Sequence, residues 1–423
     1  MLIFGKLKKI ITIMNRILLP LMALLMAMSC NSSAQNSKVE EVKEPAAPVS
    51  LTKPEVKAPA GSSLADKTTL TKAEADAYAA ELAQVWKAAV KEQGQSQFEE
   101  KALHIGQHTM RIWWATYGSK PASGRSLYIS LHGGGGAAPS VNDQQWDNQK
   151  KLYEPAEGVY LAPRAITNTW DLHFVPEADA FYEAIIRYAV SAWDVNPNRV
   201  YIMGYSAGGD GVWRLAPRMA DHWAAASMMA GHPGDVRLEG LRNTPFMIWC
   251  GALDAAYDRN KECAERIALM DQLQADDPEG YIHEGHIVEG KEHWMDLEDA
   301  AAVPWMARYT RNPYPTKVVW VQGDVMKPAF YWLGVNASAA KKGDMLVASV
   351  SDNTVTIEKS DYSRVTVYLN DALVNLDQPV KVVYGEKVLF EGTLTRSPQT
   401  MLQTLNARSD LSYIFPAQVE VTL

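Results

Sequence analysis

The pentapeptide Gly204-Tyr205-Ser206-Ala207-Gly208 places a serine among small residues, after the apolar run Arg199–Met203 and before a helical stretch reaching Met219. A serine held at a sharp strand-to-helix turn needs glycines around it, because larger neighbours would collide with the adjoining strand. Its hydroxyl attacks a carbonyl only when a base takes its proton, so an imidazole and an orienting acid belong further along the chain. Asp254, just past the apolar run Phe246–Cys250, is the acid so placed, with Asp258 four residues on as the alternative. His293 is the base, in the loop Glu289–Trp294 after the run Tyr281–Val288. His283 and His286 fall inside that run and His232 lies in an earlier loop, positions that suit structural histidines better. The chemistry is acyl transfer, and it needs N–H donors for the developing oxyanion. The Ala207 amide is one, and Gly134 in the glycine run 133–136 is the expected second. No Gly-Lys-Ser/Thr follows those glycines, so a nucleotide-binding P-loop is excluded. Trp170 and Trp294 are candidate substrate-binding residues, the second being adjacent to the base; Trp146 follows the glycine run. The three cysteines show no paired metal-ligand spacing, and neither metal nor cofactor is expected.

The elements that must hold these residues alternate between strand and helix. Thr71-Lys72-Ala73-Glu74 reads as a capping box opening a helix from Lys72 to Gln93. Strands are expected at His108–Thr116, Arg125–Leu131, Gly158–Leu161, Arg199–Met203, Phe246–Cys250 and Tyr281–Val288. Helices are expected near Val141–Leu152, Glu177–Trp193 and onward from Ser206, with Asp194–Asn198 as a turn. That alternation predicts an α/β fold with a doubly wound, mainly parallel sheet over residues 64–315. From 316 to 423 the texture changes to six or seven short strands and one helix near Ser397–Asn406, predicting a small all-β, sandwich-like domain. Exposed coplanar aromatics there would favour glycan binding over packing on the α/β part, and Tyr331, Trp332 and Tyr384 are too few to decide between the two.

The ends carry a different message. Lys6, Lys8, Lys9 and Arg16 precede a twelve-residue apolar run, Ile17–Met28. A transmembrane helix needs about 20 residues, so the run fits the core of an export signal. Ala27-Met28-Ser29-Cys30 resembles the lipobox of bacterial lipoproteins, which implies cleavage before Cys30, its lipidation and an exported, membrane-anchored protein in the periplasm or at the cell surface. Residues 30–63, rich in Pro, Ala, Ser, Lys and Glu, read as a disordered tether behind the signal peptide 1–29. The 423-residue chain has a net charge of −8, which argues against nucleic acid as a partner. Thirteen Trp against eight Phe suggest that some indoles line a groove.

The sequence of motifs Leu131–Gly136, Asp194–Gly209, Gly251–Asp254 and Gly290–Trp294 resembles the α/β-hydrolase superfamily. Within it, the passage into Ser206 is similar to the polyhydroxybutyrate depolymerase and feruloyl or acetylxylan esterase lineage, over roughly residues 100–312. The resemblance implies a serine esterase acting without metal, with Ser206 as nucleophile, Asp254 as acid, His293 as base, and Gly134 and Ala207 as oxyanion donors. Carboxylic esters, borne on acylated glycans or polyesters, would be its substrates. Secreted members of the lineage often carry a cysteine in the glycine loop or near the acid. Here the loop is all glycine, and whether Cys250 pairs with Cys263 stays open. Two other readings stand beside this one: a serine peptidase of the prolyl-oligopeptidase type, and a glycan-binding lipoprotein on an inactive hydrolase scaffold.

Overall fold

The computed structural model describes residues 50–423, and the expected signal, Cys30 and the first part of the expected tether lie outside them. The capping box forms as expected: Thr71 Oγ1 accepts the Glu74 N–H, and the Glu74 carboxylate accepts the Thr71 N–H. It opens α1 (Lys72–Glu100), longer than the alanine pattern suggested, because Trp86, Val90 and Phe98 keep one face buried to its end. Then come β1 (Ala102–Ile105), β2 (His108–Tyr117), β3 (Arg125–Leu131), α2 (Pro139–Gln149), β4 (Gly158–Pro163), α3 (Ala178–Ala192) and β5 (Val195–Tyr205). The α/β part continues through α4 (Ala207–Arg218), β6 (Ala225–Met229), β7 (Phe246–Gly251), α5 (Arg259–Asp276), β8 (His283–Val288) and α6 (Ala302–Met306).

These strands form one eight-stranded sheet in the order β1-β2-β4-β3-β5-β6-β7-β8. The pairs β1–β2 and β2–β4 are antiparallel and every later pair is parallel. Successive residues of the central strands feed two separate cores. Ile129, Ile202 and Ile248 pack with α1, α3, α4 and α5, while Tyr128, Tyr201 and Met247 pack with α6 on the other face. A parallel sheet covered on both faces needs strands that are apolar throughout, and β4, β6 and β7 are wholly buried. The architecture is the α/β-hydrolase fold. Chain order reverses between neighbours β3 and β5, so the loops leaving their carboxyl ends diverge and leave a crevice there. The glycine run follows β3 and Ser206 follows β5.

The C-terminal part comprises β9 (Lys317–Val321), β10 (Ala329–Phe330), β11 (Leu333–Gly334), β12 (Met345–Ser351), β13 (Thr354–Ser360), β14 (Arg364–Leu369), β15 (Val380–Tyr384), β16 (Lys387–Gly392), α7 (Pro398–Arg408) and β17 (Ala417–Thr422). Two sheets, β16-β15-β13-β12-β9 and β10-β11-β14-β17, enclose one core containing Val318, Leu346, Val355, Val367 and Val419. Tyr331 and Trp332 are fully buried in it, so they offer no exposed platform to a glycan.

Two expected boundaries need correction. The tether was expected to run to Ser63, but Leu51 and Val56 are buried. The Leu51 N–H donates to His104 O at 2.8 Å, and Val56 exchanges two hydrogen bonds with the Asn406 side chain, each 2.9 Å. Those apolar anchors hold a segment whose composition alone reads as linker. The division at 315/316 also falls inside a single compact unit, residues 49–423. Trp86 of α1 donates to Ser409 at 3.0 Å, and Met401, Leu405 and Ile414 belong to the same core as the large sheet. The turn expected at Asp194–Asn198 is mostly the first stretch of β5.

Candidate active site

Ser206 is the residue between β5 and α4, with φ 58° and ψ −122°, a region that a non-glycine residue occupies only when its surroundings hold it there. Its N–H donates to Met229 O at 2.9 Å and its C=O accepts the Asp210 N–H at 3.0 Å, which fixes both sides of the turn. The need for small neighbours is direct: a Cβ on Gly208 would lie 2.1 Å from the Leu131 carbonyl oxygen, and one on Gly204 would lie 2.4 Å from Gly208 O. The close crossing of α4 over the end of β3 is what puts the serine hydroxyl at the rim of the sheet.

The three residues expected to act together are brought together. Ser206 Oγ lies 2.8 Å from His293 Nε2, and His293 Nδ1 lies 2.7 Å from Asp254 Oδ2. Asp254 is 2% exposed, while the His293 side chain is 43% exposed and so open to a substrate. Asp258 is exposed and paired with Lys261 at 2.9 Å, which removes it as the acid. Of the other histidines, His283 is held by Tyr281 O at 2.8 Å and Asp271 at 3.0 Å, and His286 stacks on Trp249 at 4.0 Å. His232 is half-buried, and its Nδ1 accepts the Gly234 N–H at 2.9 Å.

The glycine loop is positioned by residues that no sequence motif marks. Asn142 is fully buried; its Oδ1 accepts the Gly135 N–H at 2.9 Å, and its Nδ2 donates to Asn168 Oδ1 at 3.0 Å. Gly134 sits at φ 108°, where a Cβ would meet Asn142 Oδ1 at 2.1 Å, so neither residue tolerates replacement without moving the loop. Behind it, His132 Nε2 accepts the Ala165 N–H at 3.1 Å and Nδ1 donates to Gly133 O at 2.6 Å. Burial pushes its pKa down to about 3. His173, also buried and held well below the usual histidine range by burial, donates to the His132 carbonyl at 2.8 Å. Both imidazoles are therefore neutral structural pins. Gly134 lines the same cleft as Ser206, and the Ala207 N–H opens α4, where helical N–H groups have no partner within the helix.

Tyr205 steadies the base. Its hydroxyl donates to the His293 carbonyl at 2.5 Å and accepts the Met295 N–H at 3.2 Å, tying the histidine loop to the residue before the nucleophile. Burial, with Asp299 nearby, pushes the Tyr205 hydroxyl well above its ordinary value and keeps it a neutral donor. Position alone offered the one available signal: Tyr205 directly precedes the serine.

Two clefts flank this group. One, of about 740 Å³, is lined by Gly133, Gly134, Gln145, Ser206, His293 and Trp294. Trp294 is 47% exposed at its wall. Trp170 lies instead against the glycine loop, 54% exposed, and lines a second cleft of about 270 Å³. Trp146 is buried, its indole N–H on Ala162 O at 2.9 Å, and touches neither cleft. Cys250 and Cys263 are buried free thiols; the hydrogen bond with neighbouring Cys250, then burial, push the Cys263 thiol up. No group of three or more metal-binding side chains occurs among the described residues.

No family model matches the chain. NocK of Nocardia uniformis subsp. tsuyamanensis, a curated protein named as an esterase, is 33% identical over 130 residues. Those residues are 28% of this chain and 37% of NocK, so the likeness spans little more than a third of that relative. A thermostable esterase of known structure is similar over 50% of this chain and 64% of its own, at 17% identity and a TM-score of 0.39. A ferulic acid esterase is similar over 47% of this chain and 98% of its own, at 17% identity and a TM-score of 0.33.

Proposed function

We propose that this protein is a serine hydrolase that cleaves carboxylic esters through an acyl-enzyme. The observation that carries the reading is the continuous pair of hydrogen bonds from Ser206 through His293 to the buried Asp254, beside a glycine loop. With Nδ1–H given to Asp254, His293 presents Nε2 as an acceptor to the serine hydroxyl, the tautomer a general base requires. His293 takes the Ser206 proton as Oγ attacks the carbonyl carbon, and the Ala207 and Gly134 amides receive the oxyanion. His293 then protonates the departing alcohol. Water enters, loses a proton to the same imidazole and releases the acid. Each oxyanion donor is worth roughly 3–4 kcal/mol of barrier.

The test is hydrolysis of short-chain p-nitrophenyl esters by residues 49–423, the whole compact unit. Ser206→Ala is expected to cost at least about 10⁴-fold in kcat and to abolish labelling by a fluorophosphonate. Equal activity in both proteins would sink the proposal. Hydrolysis of peptides in preference to esters would move it to the peptidase reading.

Export and anchoring belong to the same proposal. Cys30, in its lipobox-like setting, would carry the acyl chains, each worth about 0.8 kcal/mol of membrane binding per buried CH₂. The full chain expressed in a bacterium with labelled palmitate should incorporate label, and Cys30→Ala should not. The anchor would hold the hydrolase at a surface, which suits acylated glycans or polyesters over small soluble esters.

A further inference from the structure

The large apolar side chains exposed among the described residues are unevenly spread. Of nine, six follow the carboxyl ends of strands in the large sheet: Val141 after β3, Trp170 after β4, Leu253 and Tyr257 after β7, and Trp294 and Leu297 after β8. That edge of the sheet is the one that carries Ser206. Trp170 packs on the glycine loop and meets Tyr257 edge to face at 5.5 Å. The Leu253 N–H donates to Lys291 O at 2.8 Å, in the loop that bears His293 and Trp294. The six side chains, 43% to 61% exposed, thus stand on the loops around the catalytic cleft, and covering them with apolar matter is favourable.

Topology brings the N-terminal segment to the same edge. β1 is antiparallel to β2 and β2 to β4, so β1 runs the same way as β4 and ends at the active edge. Ile112 of β2 lies opposite Pro163, the last residue of β4, so His108–Arg111 and all of β1 project past that end. At 3.4 Å per residue the projection is about 13 Å. The described chain begins on it: the Gly106 N–H donates to Ser50 Oγ at 3.1 Å, and the Leu51 N–H to His104 O at 2.8 Å. Across the sheet, β1 is four strand spacings from β5, about 19 Å. Cys30, the proposed site of lipidation, precedes Ser50 by twenty residues, which span at most about 70 Å.

A lipid attached at Cys30 would therefore lead into the molecule beside the apolar rim, and a bilayer fits both. Three of the six rim residues are Trp or Tyr, whose rings suit the headgroup layer because one end is apolar and the other finds water. Charge does not supply the attraction. On the same loops Asp258 pairs with Lys261 at 2.9 Å, and Lys291 pairs with Asp296 at 2.8 Å and Glu298 at 3.2 Å, which leaves no surplus of cations for an anionic surface.

We propose that the active edge docks on a bilayer of zwitterionic lipid, so that Ser206 works on esters held at the membrane surface. The inference rests on the proposed anchor and hydrolase chemistry, and its test needs neither. Residues 49–423, without the anchor, are mixed with phosphatidylcholine vesicles. Flotation should recover the protein with the vesicles, half-bound at about 1 mM lipid, and the triple variant Leu253→Gln, Tyr257→Asn, Leu297→Asn should need about ten-fold more. All three side chains are exposed, and Tyr257 and Leu297 have positive φ, which Asn accepts, so the variant should fold; a thermal melt checks this. Brominated acyl chains should quench tryptophan fluorescence in the wild type, and the double variant Trp170→Phe, Trp294→Phe should lose that quenching. No flotation at about 10 mM lipid overturns the proposal. Flotation and quenching that the variants leave unchanged overturn it too, because another face then binds. A dimer in sedimentation equilibrium that the triple variant dissociates, without flotation, overturns it in favour of a second copy of this chain. Flotation depends on neither Cys30 nor Ser206, so a failure of palmitate labelling or of the Ser206→Ala comparison falls on the anchor or the hydrolase instead.

Discussion

Two residues outside the Ser206–His293–Asp254 hydrogen-bonded chain hold its geometry, and each gives a test of the proposed hydrolase. Tyr205 joins the nucleophile's strand to the histidine loop by two hydrogen bonds, at 2.5 and 3.2 Å. Tyr205→Phe keeps the ring packed and removes both, leaving the His293 carbonyl and the Met295 amide without that partner. We expect a fall of about ten-fold in kcat with little change in KM, and a stability loss of about 1–3 kcal/mol. Single-turnover kinetics and a urea melt read the two effects separately. Gly208 is the converse case, where an added atom does the harm. Gly208→Ala would drive a methyl group into the Leu131 carbonyl, 2.1 Å away, so α4 must shift off β3. Activity should fall at least as far as in Tyr205→Phe, with a lower Tm. A Gly208→Ala enzyme with wild-type kcat and Tm would show that the close crossing at the serine is not what places it.

At the scale of elements, the glycine loop depends on buried neutral histidines. His132 and His173 have folded-state pKa values below that of an unfolded histidine, His132 down to about 3 and His173 well below the usual range. Below about pH 6.5 the unfolded chain therefore binds protons that the folded chain does not. Each histidine then removes about 1.4 kcal/mol of stability per pH unit, and this stabilisation is fully present only above the unfolded pKa. Asp210 and Asp299, whose pKa values burial raises, bind protons in the folded state and offset part of the loss. Urea midpoints at pH 7.5, 6.5 and 5.5 should stay level across the first step and fall across the second. His132→Asn should flatten that fall by removing one titrating group. Asn142→Ala acts on the same element at any pH, by releasing the Gly135 amide and the Asn168 side chain.

The whole molecule is more continuous than two domains joined in series. Arg311, at the end of the α/β part, is buried and pairs with Asp410 at 2.8 Å, and the Tyr413 hydroxyl donates to Asp221 O at 2.9 Å. His222, with Arg408 paired to Asp221 at 2.6 Å and Arg311 beyond, pulls that carboxyl far below the ordinary range despite full burial. A chain cut after residue 315 would leave Asp221 without Arg408 and expose Leu70, Trp86 and the core around them. Breaking a buried ion pair costs about 3–5 kcal/mol, a large share of a typical folding free energy. Residues 49–315 are expected to be insoluble or to lack a cooperative melt, whereas residues 49–423 should melt in one transition. A soluble, active 49–315 fragment would show that the C-terminal sheets are an accessory.

The strands, the helices around the serine and the identities of Ser206, Asp254 and His293 were legible in the chain because each has a local signature. Alternation or continuous burial marks a strand, a capping box marks a helix start, and an acid or base just past a strand marks the sheet's active edge. β17 carries the same signature, since Val419 and Val421 alternate with exposed residues. The helix α5 was not, because only Arg259, Cys263 and Met270 of its eighteen residues are buried and no apolar stripe results. Packing alone decided the rest. The choice of Asp254 over Asp258 turns on which carboxylate the fold buries within 2.7 Å of His293. The roles of Asn142 and Tyr205, the anchoring of Leu51 and Val56, and the packing of α7 and Ile414 into the core of the large sheet join residues far apart in sequence. Such contacts carry no local pattern, because their energy comes from partners that meet only when the chain has folded.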